Sequence, residues 1–210
     1  MVLIKKIVKR ILPWRVRNYI KTIGFLRRND GGANDQIRPL TYGSIDNFIL
    51  TDIRNTSNLD VLYVFPVIDW GFRFQRPQHF ARGFARQNYK VFYFTTSFNS
   101  ASECGYTLRS IENNVIEVRL NVNCDVNIYT QCVSDELRQF WIKSIGKFEI
   151  DFGIVNKFIK IDHPFWIDIA SCLGGKVIYD CMDDHEGFED GLEHVIALEK
   201  KAIQLSDYLI

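Results

Sequence analysis

Six apolar runs of strand length recur from residue 60 to the end of the sequence, separated by segments whose apolar residues repeat at helical spacing. The runs are DVLYVFP (60–66), YKVFYFTT (89–96), VIEVRLNV (115–122), FGIVNKFIKI (152–161), KVIYDC (176–181) and DYLI (207–210). Continuous apolar runs of this length, rich in Val, Ile, Phe and Tyr, predict strands buried on both faces. Pro77 suits a first helical turn, and Phe80, Ala81, Phe84 and Ala85 form the apolar face behind it. Ser134 is an N-cap candidate followed by Asp135 and Glu136, with Val133, Leu137, Phe140, Trp141 and Ile145 as the stripe. Leu192, Val195, Ile196, Ala202 and Ile203 line a last helix. The order β-α-β-β-α-β-β-α-β predicts an α/β fold: a Rossmann-like, doubly wound, mainly parallel sheet with helices on both faces.

The first 58 residues follow different rules. Ile4, Ile7, Val8 and Ile11 share one helical face, Pro13 interrupts, and Val16, Tyr19, Ile20 and Ile23 resume the stripe. Residues 1–28 carry nine Lys/Arg and no Asp/Glu, which leaves 17 basic and 25 acidic residues for the rest of a chain whose net charge is only +1. Two short basic amphipathic helices are expected at 1–28, suited either to an anionic membrane surface or to packing on a protein face. Residues 29–58 are rich in Gly, Asn and Asp and read as a linker with one short strand at 47–50, so the globular domain spans 59–210.

Composition narrows the class. A 47% hydrophobic chain of 210 residues can bury one sizeable core. The five cysteines are scattered and form no C-x-x-C pair, so neither a disulfide framework nor a structural zinc site is expected and a cytoplasmic setting is. No run approaches the roughly 18 apolar residues of a transmembrane helix. The sequence has no P-loop, no G-x-G-x-x-G and no G-x-S-x-G, so NTPase, dinucleotide-dependent and serine-hydrolase readings lack their usual support.

The residues able to do chemistry follow the predicted strands, where ligands bind in open α/β sheets. The first loop holds Asp69, Trp70, Gly71, Arg73, Gln75, Arg76, Gln78 and His79. Trp70 offers a flat face for a sugar ring, the two arginines offer forked donors, and Gln75, Gln78 and His79 flank a helix N-terminus. The alternative is a strand-to-helix loop in which Arg and Gln cap backbone groups. His163 follows the fourth run, with a structural donor as its alternative role. After the fifth run, Asp183, Asp184 and His185 are candidates for proton transfer, while Asp180 suits anchoring a loop through backbone N–H groups. D-x-x-D-D lacks the ligand density of a calcium loop, and no metal or other cofactor is expected. Glu199 lies on the apolar stripe of the last helix and is expected to pair with an arginine, and His194 to be solvated.

Two segments together resemble a known family. D-W-G-F-R-F-Q-R-P-Q-H-F-A-R-G-F-A (69–85) is similar to the first strand–loop–helix of bacterial family 4 glycosyltransferases of the GT-B fold, with their W-x-x-x-x-Q-R-P-Q motif. K-V-I-Y-D-C-M-D-D-H-E-G-F (176–188), followed by a Glu-bearing helix and S-D-Y-L-I, is similar to the end of the same N-terminal domain. The resemblance covers 60–210 and implies the acceptor-side half of a two-domain enzyme. A nucleotide-sugar donor would be held by a C-terminal domain, and a glycan or lipid-linked acceptor by the loops at 69–79, 97–105, 162–166 and 182–188, at the inner face of the cytoplasmic membrane. Asp183, Asp184, His163 and His185 are the candidate catalytic groups. Residues 207–210 form an apolar run with no turn signal after it, which leads us to expect a fragment of a longer enzyme, inactive alone. No nucleic-acid partner is expected. The alternative class is a non-catalytic Rossmann-like module that binds a sugar, a nucleotide or a partner protein.

Overall fold

The computed structural model describes residues 60–183, 185 and 193–210. The expected basic helices at 1–28, the linker and strand at 29–58, Asp184 and residues 186–192 lie outside the described residues.

The elements are β1 Val61–Phe65, α1 Arg76–Ala85, β2 Lys90–Phe94, β3 Asn99–Ser100, β4 Tyr106–Glu112, β5 Val115–Val122, α2 Asp135–Phe152, β6 Phe158–Ile161, a 3-10 turn Pro164–Trp166, α3 Ile167–Ala170, β7 Lys176–Tyr179, α4 Glu193–Leu205 and β8 Tyr208–Leu209. The strands form an eight-stranded sheet in the order β3-β5-β2-β1-β6-β7-β8, with β4 paired to β5. All neighbouring strands are parallel except β4 and β5. This is the α/β, mainly parallel, Rossmann-like arrangement that the alternating pattern predicts.

Alternation within the buried strands sorts side chains onto two unlike faces. Val61, Tyr63, Phe65, Phe92, Phe94, Ile116, Val118, Leu120, Ile159, Ile161, Val177 and Tyr179 join Trp141, Phe148 and Trp166 in one apolar core. The aromatic rings interlock there: Phe65 stacks on Phe94 at 4.3 Å, and Phe148 meets Phe92 edge-on at 4.8 Å. Each such side chain contributes roughly 1.5–3 kcal/mol by leaving water. The residues that alternate with them include Glu117, Lys160 and Asp180, all buried. The second face therefore mixes apolar and charged groups.

Helix α2 starts as its sequence requires, with Ser134 Oγ accepting from the Leu137 N–H at 3.2 Å and Asp135 and Glu136 in the first turn. It runs further than expected. Phe148 is buried and Phe152 packs on the same core, continuing the stripe of Trp141 and Ile145 at helical spacing, and Gly153 ends the helix at φ 64. Residues 152–157 are thus helix end and loop, and β6 begins only at Phe158.

Two further strands occupy ground expected to be loop. β4 carries Leu108 inward among polar neighbours, and it turns into β5 through Asn114 at φ 62. β3 lies within the polar 97–105 segment and pairs with β5. The DHPFW segment is also not a plain loop: His163 Nδ1 accepts from the Phe165 N–H at 3.2 Å and starts the 3-10 turn that leads into α3.

Candidate functional site

Strand register brings the predicted loops to one edge. Phe65 pairs with Ile161, Ile161 with Tyr179, and Tyr179 with Leu209, so the residues that leave β1, β6 and β7 emerge side by side. The chain winds outward from β1 through β2 to β5, then returns to the other side of β1 as β6. The winding reverses between β1 and β6, and the carboxyl ends of these two strands form the crevice in which such sheets bind ligands. Its floor is closed by the Asp162 N–H donating to Phe65 O at 3.0 Å.

The β1–α1 loop divides into inward and outward members. Asp69 Oδ1 accepts from Thr96 N at 2.6 Å and from Thr96 Oγ1 at 2.9 Å, and Oδ2 accepts from Ser97 Oγ. Gln78 is fully buried, with Nε2 donating to Arg73 O at 2.8 Å and Oε1 accepting from Gln75 N at 3.0 Å. Asp69 and Gln78 are thus committed to the loop's own architecture. Trp70 is half-buried, edge-on to Tyr93 at 5.1 Å and to Phe74 at 6.0 Å. Gly71, Phe72, Arg73 and Phe74 face outward, Phe72 being 73% exposed. His79 is exposed, with its ring 4.6 Å from that of Phe74. The loop therefore presents two phenyl rings and one forked cation to solvent, held by a rigid base.

Behind it lies a charge network that the sequence signals weakly. Lys160 and Asp162 interrupt the otherwise apolar run FIKI and its exit, and charged residues inside a buried strand need partners. Lys160 Nζ bonds Asp162 Oδ1 and stands 2.9 Å from Asp180 Oδ2, with all three side chains fully buried. Arg76 Nε donates to Asp180 Oδ2 at 2.9 Å, and its Nη2 makes an ion-pair contact 2.7 Å from Oδ1 without hydrogen-bond alignment. Asp180 anchors the structure through these two cations rather than through the backbone N–H groups expected of it. Burial lowers the Lys160 pKa, but Asp162 and Asp180 more than offset this and hold the ammonium charged. Burial raises the Asp162 carboxyl above its usual range, the charge on Asp180 adds to this, and Lys160 and Arg76 only partly oppose it. Asp162 Oδ2 has no hydrogen-bond partner.

On the other lip of the crevice, His163 is buried and sits between two aromatic neighbours, Tyr129 with ring centroids at 5.7 Å and His185 at 5.6 Å. Burial, aided by His185 and His194, lowers the His163 pKa to about 4, so its ring is neutral in ordinary buffers. With Nδ1 accepting from Phe165 N, the neutral ring carries its proton on Nε2 and offers a donor there. Tyr129, which sequence reasoning passed over because it lies in a polar stretch, donates from its hydroxyl to Val67 O.

Past β7, Asp183 is exposed and His185 half-buried, while Asp184 lies outside the described residues. Glu199 is buried as its helical position implies, but its partners are the Tyr179 hydroxyl at 3.1 Å and Cys181 Sγ at 3.6 Å, not an arginine. This follows from the register of α4 over β7, whose nearest polar groups are those two. Burial and the Glu199 charge push the Cys181 thiol up to about 11, so it is not a reactive thiolate. His194 is half-buried, not solvated, and its Nε2 has no hydrogen-bond partner.

Among the described residues, no group of three or more His, Cys, Asp or Glu side chains is arranged to hold a metal ion, and no helix is long and apolar enough to cross a membrane. The chain matches no protein-family model and no curated protein sequence.

Proposed function

We propose that this domain is the acceptor side of a GT-B-type glycosyltransferase, which moves a sugar from a nucleotide diphosphate donor to a hydroxyl of a glycan or lipid-linked acceptor. The observation that carries the reading is the pairing of the two crevice lips: an outward Phe72–Arg73–Phe74 loop after β1, and the neutral His163 after β6. Saccharide sites combine apolar ring faces with a few fixed polar groups, and the W-x-x-x-x-Q-R-P-Q resemblance implies an acceptor role for this loop. The nucleotide-sugar would come from a second domain facing the same edge.

The residues divide the work as follows. His163 donates from Nε2 to an acceptor oxygen and positions it. Its low pKa and its engaged Nδ1 make it a poor base. Asp183, an exposed carboxylate after β7, is the better candidate to take the proton from the attacking hydroxyl, with Asp184 and His185 as its neighbours in sequence. The basic stripe of residues 1–28 supports attachment to an anionic bilayer, where a lipid-linked acceptor would be met.

The test is saccharide binding by the full 210-residue chain, followed by saturation-transfer NMR. Mono- and disaccharides should receive saturation, and Arg73→Ala should weaken the response about tenfold. Binding of free nucleotides with no saccharide contact would sink the reading. It would instead favour a non-catalytic nucleotide-binding module.

A further inference from the structure

Tyr129 spans the crevice. Its hydroxyl is bonded to Val67 O on the β1 side, its ring lies against His163 on the β6 side, and it remains 46% exposed. The three carbonyls that leave β1 are each taken by an aromatic donor: Pro66 O by Trp166 Nε1 at 2.8 Å, Val67 O by Tyr129, and Ile68 O by the Tyr93 hydroxyl at 2.7 Å. Trp166 and Tyr93 are fully buried, so Tyr129 is the member of this set that can swing into solvent without opening the core. Between the same two strand ends lies Asp162, joined to Phe65 O through its N–H. Lys160 holds Oδ1, and Oδ2 is buried with no donor. A buried carboxylate oxygen left unpaired is costly, more so when charged, and a ligand donor would recover that cost.

We propose that Tyr129 is a movable bar over a ligand site in the β1–β6 crevice, and that Asp162 Oδ2 accepts a hydrogen bond there from a hydroxyl of a sugar-class ligand. The ligand class rests on the function proposed above. The site itself rests on the bar and the unpartnered oxygen. Binding displaces the Tyr129 ring from His163 and exchanges its bond to Val67 O for solvent. The ligand hydroxyl then donates to Asp162 Oδ2, and Lys160 keeps Oδ1 in place.

The experiment titrates the full chain with N-acetylglucosamine, glucose and galactose by NMR, following the His163 ring and the sugar signals. Tyr129→Ala removes an exposed side chain and should leave the fold intact while tightening binding of at least one sugar about tenfold. Asp162→Asn leaves its carbonyl oxygen for Lys160 and turns an amide NH2 towards the ligand, replacing an acceptor by a donor. It should weaken that binding by about tenfold or more. Equal binding in Asp162→Asn and wild type, or no gain in Tyr129→Ala, overturns the proposal. If Asp162→Asn does not fold, Tyr129→Ala decides alone. Sugar binding that depends on Arg73 but ignores Tyr129 and Asp162 refutes this site and leaves the proposed function standing. Sugar binding that depends on Tyr129 and Asp162 but ignores Arg73 supports this site and counts against the acceptor role proposed for the outward loop.

Discussion

Arg76 Nε donates a 2.9 Å hydrogen bond to Asp180 Oδ2, tying the first turn of α1 to the end of β7 across 104 residues of sequence. Lys160 reaches the same carboxylate from β6 at 2.9 Å. Asp180 is thus a hub that fixes the edge on which the crevice opens. Asp180→Asn leaves Lys160 with one carboxylate and releases Arg76. We expect a loss of about 3 kcal/mol, as when one partner of a buried ion pair is removed. Asp183→Asn, at an exposed position, should stay within about 0.5 kcal/mol of wild type. Urea unfolding of both variants checks this, and the opposite ranking would mean that the two roles are exchanged.

His163 should make stability depend on pH in one direction. Its folded pKa of about 4 lies below the ordinary 6.5, so the unfolded chain binds the proton more readily. The stabilisation is complete above pH 6.5 and is lost as pH falls toward 4, on the order of 3 kcal/mol at about 1.4 per pH unit. Asp162, whose pKa is raised, acts in the opposite sense. The measurement is therefore the difference in unfolding free energy between wild type and His163→Gln from pH 7 to 4. A flat difference would show that the ring is not held neutral.

Gly175 should tolerate no side chain. It sits at φ +110, and a Cβ there would lie 2.5 Å from Lys157 O in the turn before β7. Gly175→Ala is expected to cost roughly 1–3 kcal/mol of backbone strain, plus the displacement of that carbonyl. Gly71 has nothing within 4 Å of its added Cβ, so Gly71→Ala should be close to neutral in thermal unfolding. Equal melting temperatures for the two variants would contradict this contrast.

The outward loop predicts function without stability. Phe72 and Arg73 are exposed, and the Arg73 guanidinium lies over the Phe72 ring at 6.0 Å. Phe72→Ala and Arg73→Ala should each melt within about 0.5 kcal/mol of wild type. Saccharide binding should nonetheless fall about tenfold. Asp69→Ala, which cuts four hydrogen bonds from Thr96 and Ser97, should lower stability as well as binding. Calorimetric melting paired with saccharide titration separates the two classes.

Strand identity and sheet class were legible because they depend on local pattern. β1, β2, β5 and β7 are apolar runs with no helical period, and Ser134 with Asp135 and Glu136 marks the start of α2 on its own. β4 was not legible, because YTLRSIE buries little beyond Leu108 and owes its strand form to pairing with β5. The end of α2 was misjudged for a related reason. Phe152 and Ile154 suit a strand as well as a helix, and packing of Phe148 and Phe152 on the core selects the helix.

The sequence by itself determined that Asp69, Trp70, Arg73, His163 and Asp183 would follow strands, since parallel winding sends every such loop to one edge. Only the tertiary structure decided which side chains turn inward. It committed Asp69 and Gln78 to the loop backbone, gave Asp180 to Lys160 and Arg76, and gave Glu199 to Tyr179. It also brought Tyr129 across to Val67 and His163, and left Asp162 Oδ2 without a donor. The physical reason is range. Hydrophobic periodicity acts over one turn or one pleat, whereas a hydrogen bond between residues 62 or 104 positions apart exists only once strand order and register have set the distance.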